Sequence, residues 1–275
     1  MKIYAQILIL ISLVFFSYAY AENELGLAEY QIANDAGEKL ATLLRSIEEP
    51  SKKELDAEQK ENIRSALVKN SSDYIENLRK SSDLGFPPAQ FRYAQTLKGQ
   101  TLPNNENRTK IKTQICGLLE KSAEGGFLAA AVASASYCPG AKSKMDLFAI
   151  MKTTDEAYKQ LATTLNDADK YTSFYPAKAF SSPTCFDPDL KSVYENLEKL
   201  TPLERIQALS PPLLTFEEFE AEAYFMLAIH LPSDEKARAA DYLLKAEERA
   251  CSSPYFESFK TAFKKRASRS SAIKG

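Results

Sequence analysis

Residues Leu119 to Gly140 read LEKSAEGGFLAAAVASASYCPG. Gly125 and Gly126 interrupt a helix-forming run, and the facing positions on either side of them are almost all Ala and Ser. Two short helices folded back on each other at the glycine pair account for both features. Glycine reaches φ > 0 at least cost, and small side chains let two backbones approach closely. Forty-one residues upstream, Leu78 to Gly99 read LRKSSDLGFPPAQFRYAQTLKG. In register, Leu78, Lys80, Ser81, Ser82, Asp83, Gly85, Ala89 and Ala94 meet Leu119, Lys121, Ser122, Ala123, Glu124, Gly126, Ala130 and Ala135. A fixed period of this size marks a helical repeat, and one hairpin cannot bury its apolar face alone, so further helices must pack on either side.

Outward from the repeats, residues 22–73 predict two helices that cap the array. The first carries Leu25, Ile32, Leu40 and Leu43 on one stripe and stops at Pro50. The second runs from Lys52 to about Val68, and the cluster Asn70-Ser71-Ser72-Asp73 is expected to break it. Residues 74–170 hold the two repeats and a following helix, Lys142 to Lys170, with a break near Thr153-Thr154. Pro87 and Pro88 fit the first turn of the second arm, where a missing N–H costs little. Residues 171–188, YTSFYPAKAFSSPTCFDP, are an irregular aromatic loop. A loop of that length is as a rule functional or disordered, but the simpler expectation is that Phe174, Tyr175, Phe180 and Phe186 cover the array while Cys185 ties it down. Residues 189–265 predict helices near 190–200, up to Leu209, from Thr215 through Ile229, from Asp234 through Ala246 and from Pro254 to Lys265. Ala223–Ala228 and Tyr242–Ala246 resemble eroded halves of two more repeats. Residues 266–275 form a basic tail, expected to be disordered.

Residues 1–21 read as a cleaved signal peptide: Lys2, an apolar run from Ile7 to Phe16, then the small-x-small site Ala19-Tyr20-Ala21. The run falls short of the ~20 apolar residues that span a bilayer, so no stable membrane insertion is expected after cleavage. The 254 residues that remain carry 34 basic and 37 acidic side chains. Six of the basic ones lie in 260–275 without an acid, leaving an acidic body, which argues against nucleic-acid binding. Four Cys in an exported chain pair rather than bind metal, and their spacing has no zinc pattern. Cys116 and Cys138 lie at comparable heights on the two arms of the second hairpin, which pairs them and leaves Cys185 for Cys251.

His230 is the only histidine, and its expected place is a helix end, where a cation meets the dipole. Glu217, Glu218, Glu220 and Glu222 could offer a carboxylate pair for glycan hydrolysis. The simpler expectation puts them at a helix N-terminus and in solvent. No phosphate loop, metal spacing or nucleophile elbow occurs, so catalytic, metal and cofactor-binding residues are read as none.

The paired pattern resembles the Sel1-like repeat, a relative of the tetratricopeptide repeat. Lys80 and Lys121, Gly85 and Gly126, and Ala89 and Ala130 stand in the family's places. Ala94 and Ala135 replace its second Gly, and Ser134 stands where a Leu is usual. The resemblance implies an all-α, right-handed α/α solenoid of helical hairpins. It also implies a non-catalytic adaptor holding a protein or peptide partner, with no cofactor, in the bacterial envelope, the periplasm being the expected compartment. Alternatives are a secreted factor acting on another organism's cells, and an envelope hydrolase using Glu218 and Glu222. The Ala-rich faces of the second hairpin are taken up by packing, so the ligand surface is expected on its polar neighbours and on 171–188; no ligand-binding residue is assigned, and the oligomeric state is not read.

Overall fold

The computed structural model describes residues 25–48, 56–99, 105–139, 147–186, 195–200, 204–205, 208–232 and 234–272. The signal-peptide reading lies outside these residues. The described chain is mostly helical, with one antiparallel pair of two-residue strands. It divides into two compact units, Met1–Asn104 and Asn105–Gly275, so each of the two matched hairpins has its own unit.

In the first unit, α1 (Leu27–Glu48) packs along α2 (Ala57–Asp83), which turns at Gly85 into α3 (Pro87–Gly99). Helix α2 is continuous through Asn70-Ser71-Ser72-Asp73, so neither the expected break nor the boundary at 73/74 exists. The Asn70 side chain donates to the Ala66 carbonyl one turn back, sharing that acceptor with the helical ladder instead of breaking it. Asp56 and Gln59 close a capping box at the start of α2. At its end Phe86 N–H reaches Ser81 O and Gly85 N–H reaches Ser82 O, a Schellman turn with Gly85 at φ +90°. Helix α1 also begins at a left-handed glycine, Gly26 at φ +91°, whose carbonyl accepts the buried Ser81 hydroxyl at 2.6 Å. Where α2 meets α3, Ser82 Oγ and Gln90 Oε1 are buried without a hydrogen-bond partner.

In the second unit, α4 (Asn105–Glu124) turns at Gly126, φ +95°, into α5 (Leu128–Tyr137) by the same pair of bonds: Phe127 N–H to Ser122 O and Gly126 N–H to Ala123 O. The facing small residues, Ala123, Ala129, Ala130, Ala131 and Ala133, are all at most 1 % exposed, which lets the arms close on each other. Helix α6 (Leu147–Asn166) follows, unbroken at Thr153 and Thr154, whose hydroxyls donate to Ile150 O. Its Thr164 hydroxyl donates to Ala123 O, 41 residues back. One period after Gly126 stands Asp167, and here no tight turn forms. The chain runs into a 3₁₀ helix, Ala168–Phe174, and a long excursion carrying β1 (Ala177–Lys178) and β2 (Leu213–Leu214) before α7 (Phe216–His230). Helix α7 packs on α5 and α6, so the excursion occupies the place of a hairpin turn.

Helix α8 (Lys236–Glu248) packs on α7 and ends in a third Schellman turn: Cys251 N–H to Ala246 O, and Ala250 N–H to Glu247 O. The left-handed residue is Ala250, φ +63°. Leu243-x-Lys245-Ala246-x-Glu248-x-Ala250 therefore aligns with Leu119-x-Lys121-Ser122-x-Glu124-x-Gly126, making α8 a first arm and α9 (Pro254–Ala272) its second. The two eroded segments thus lie on a second arm, α7, and on the first arm that follows it. Backbone expected to be a disordered tail from 266 is helical to Ala272. Of the helices expected between 190 and 209, the described residues hold helical backbone at 195–196, 204–205 and 208 and the 3₁₀ turn Leu197–Lys199; the remainder lies outside the described residues.

Candidate functional site

The excursion is fastened to the helices at each end of a short strap, Tyr175 to Phe186. Phe127, at the N-cap position of α5, has no side-chain acceptor, so the helix opens with unpaired donors. The Tyr175 hydroxyl supplies the acceptor, taking the Ala129 N–H at 3.0 Å. Its ring sits among Phe127, Phe216 and Phe219 at 5.2–5.5 Å between centroids, and burial holds the hydroxyl far above its ordinary pKa, hence neutral. After a cis Tyr175–Pro176 bond, Ala177 and Lys178 pair with Leu214 and Leu213, and Ala179 N–H reaches Pro212 O. Phe180 meets Tyr137 edge-on at 5.0 Å.

Glu222, on α7 and 2 % exposed, holds the far end. Its carboxylate accepts Thr184 N–H at 3.0 Å, the Thr184 hydroxyl at 2.6 Å and Cys185 N–H. Burial raises its pKa; the Thr184 hydroxyl and the N–H groups of Cys185, Thr184 and Phe186 pull it back, and burial wins. Ser253 donates to Thr184 O, and Cys185 is bonded to Cys251, both buried.

Between these two fastenings lies a cavity of about 230 Å³. Its floor and walls are Ala129, Val132 and Ala133 of α5, Tyr158 of α6, and Phe219, Met226 and Ile229 of α7, closed by Leu214 and Phe180. Ser136, Ser181, Ser182 and Thr184 bring aliphatic hydroxyls to it, and among the described residues Glu222 is the one acid or base in its lining. Next to Ile229, His230 ends α7 as expected. Its ring stacks on Tyr158 at 3.8 Å and 7°, and Asp155 Oδ1 lies 3.1 Å from Nε2, an acceptor that selects the Nε2–H form.

The cysteines are joined as the hairpin heights suggest, Cys116 to Cys138 and Cys185 to Cys251. Lys80 is a surface residue paired with Glu76 at 2.8 Å, and Lys121 is exposed; Ala89 and Ala130 are fully buried where the arms cross. The four glutamates part company. Glu217 is exposed, Glu218 closes a capping box with Thr215, and Glu220 pairs with Arg249 at 3.0 Å. Glu222 is buried, against the expectation of solvent. Both acids proposed for hydrolysis are therefore engaged in internal hydrogen bonds. The second hairpin is also not excluded from the site, because the outer face of α5 lines the cavity. Among the described residues no group of three or more His, Cys, Asp or Glu is arranged to hold a metal ion.

No family model, curated protein or solved structure matches this chain. Sequence reading named Glu222 but placed it in solvent, although a signal for burial existed: it lies on the apolar stripe Phe219, Met226, Ile229 at helical spacing, where an acid needs donors. Tyr175 offered no such signal, since its partner is 46 residues away.

Proposed function

We propose that the protein is an exported, non-catalytic adaptor, a right-handed solenoid of Sel1-like hairpins that holds a protein or peptide partner in the bacterial periplasm. The observation that carries this reading is the excursion at Asp167. In an otherwise tight series of turns, one hairpin opens into a long insertion, fastened at both ends over a cavity. Insertions in repeat proteins gather on the face that binds. The two disulfides fit an exported chain, and no described helix is long and apolar enough to cross a membrane. A binding role is favoured over hydrolysis because Glu218 and Glu222 are engaged in a helix cap and in the strap.

The test is photo-crosslinking in the native cell envelope, with the reactive residue at Ser136 or Ser182 on the cavity rim and at exposed Ala240 as control. A discrete adduct from the rim positions and none from Ala240 is expected. Equal adducts from all three, or none from the rim, would remove the adaptor reading. Recovery of the protein from culture medium without lysis would instead make it a secreted factor.

A further inference from the structure

We propose that the cavity is a socket for one aromatic side chain of an extended peptide, and that the peptide backbone runs along the strap at Ser181 and Ser182. This rests on the adaptor reading and names the ligand class that reading leaves open.

Three observations carry it. First, the strap is a free edge. Its flanks are anchored, Ala179 to Pro212 on one side and Thr184 and Cys185 to Glu222 on the other. Among the described residues, neither Ser181 nor Ser182 has a hydrogen-bond partner. The backbone bends at 180–181 beyond β1, so these unused donors and acceptors offer individual hydrogen bonds to a docked chain, with selectivity from the neighbouring pocket. Fixing the edge beforehand lowers the entropic cost of docking.

Second, the socket is shaped for a ring. An apolar cavity of about 150 Å³ is enough to hold benzene, and this one has about 230 Å³. Tyr158, Phe180 and Phe219 present rings to it and Met226 a thioether, the partners that favour edge-to-face and sulfur–aromatic contact.

Third, among the described residues the lining itself carries an acid, Glu222, and no Lys, Arg or His, the nearest bases being Lys178 on the strap and His230 at the end of α7. Asp155 lies three residues before Tyr158 and Glu218 four before Glu222, each one turn away on the same helix face. A peptide with basic residues beside the aromatic one complements this edge, and an acidic one opposes it.

The experiment uses the full mature chain with both disulfides intact and a fluorescent, end-blocked pentapeptide, Lys-Thr-Phe-Thr-Lys, followed by anisotropy. Replacing the central Phe by Ala is expected to weaken binding about tenfold or more, and replacing both Lys by Glu to weaken it further at low salt. Val132→Phe fills the socket from a partly exposed wall position, and Ser182→Pro removes an edge N–H that no intramolecular bond uses. Each is expected to reduce affinity about tenfold while the melting temperature stays within about 2 °C of the parent. The proposal is overturned if the Phe and Ala peptides bind alike, if neither reaches saturation by about 1 mM, or if both variants bind as the parent does. Should Val132→Phe fail to fold, Ser182→Pro carries the comparison. If the peptide series fails while rim crosslinking still captures a partner, the adaptor reading stands and the socket falls. If both fail, the reading itself falls.

Discussion

Glu222 is an acid in an apolar wall, and its donors explain how it is tolerated. The backbone N–H groups of Thr184, Cys185 and Phe186 and the Thr184 hydroxyl converge on it, yet the loss of water outweighs them and its pKa is raised. The folded protein therefore holds this proton more tightly than the unfolded chain, whose value is near 4.5. The stabilisation that follows is fully present below pH 4.5 and is lost as pH rises through the folded value. Thermal midpoints of Glu222→Gln should accordingly change less than those of the parent between pH 4.5 and pH 7. A parent midpoint that rises more steeply than the variant's across this range would reverse the sign and refute the assignment. Ser82 and Gln90 are a contrasting pair. Their unpaired atoms occupy positions that the second hairpin fills with Ala123 and Ala131, both 1 % exposed. An apolar pair at this crossing leaves no donor or acceptor stranded.

Hairpin turns recur here with one geometry and two chemistries. Gly85 and Gly126 adopt φ near +90° without strain, whereas Ala250 holds φ +63° with a Cβ. A left-handed non-glycine residue costs about 1–2 kcal/mol. Ala250→Gly is thus expected to raise stability by about 1 kcal/mol in urea unfolding. Gly85→Ala, whose added Cβ would meet nothing within 4 Å, is expected to lose about the same. Opposite signs for the two substitutions are the outcome to look for; a loss at both would mean that Ala250 is held by its side chain. These turns were legible in the sequence because a left-handed residue and small crossing residues are local requirements. The turn at Ala250 was not, since alanine does not announce that conformation. The continuity of α2 was hidden for a related reason: Asn and Ser read as breakers, but Asn70 turns its amide back along the helix. The site was less legible. Its cavity depends on contacts spanning 46 residues at Tyr175 and 38 at Thr184, and no local pattern encodes a partner that far away.

At the scale of the molecule, both disulfides lie in the second unit and do different work. Cys116–Cys138 closes 22 residues across one hairpin, and Cys185–Cys251 closes 66, joining the excursion to the turn between α8 and α9. Loop-closure entropy gives about 3 kcal/mol for the first and about 4 kcal/mol for the second. Paired Cys→Ser variants unfolded in urea should follow that order. Loss of Cys185–Cys251 should also weaken the pentapeptide, because it frees the strap, while loss of Cys116–Cys138 should not. A further consequence follows from the direction of the fastenings. Ribosomes deliver the chain N-terminus first, and each tie on the strap waits for something made later. The start of α5 waits for Tyr175, the strap for Glu222, and Cys185 for Cys251, 66 residues later. Nascent chains cut short before residue 251 would carry every arm of the cavity and the Tyr175 and Glu222 ties, but not the disulfide that locks the strap. The last fastening of the strap can therefore form only after residue 251 has been made.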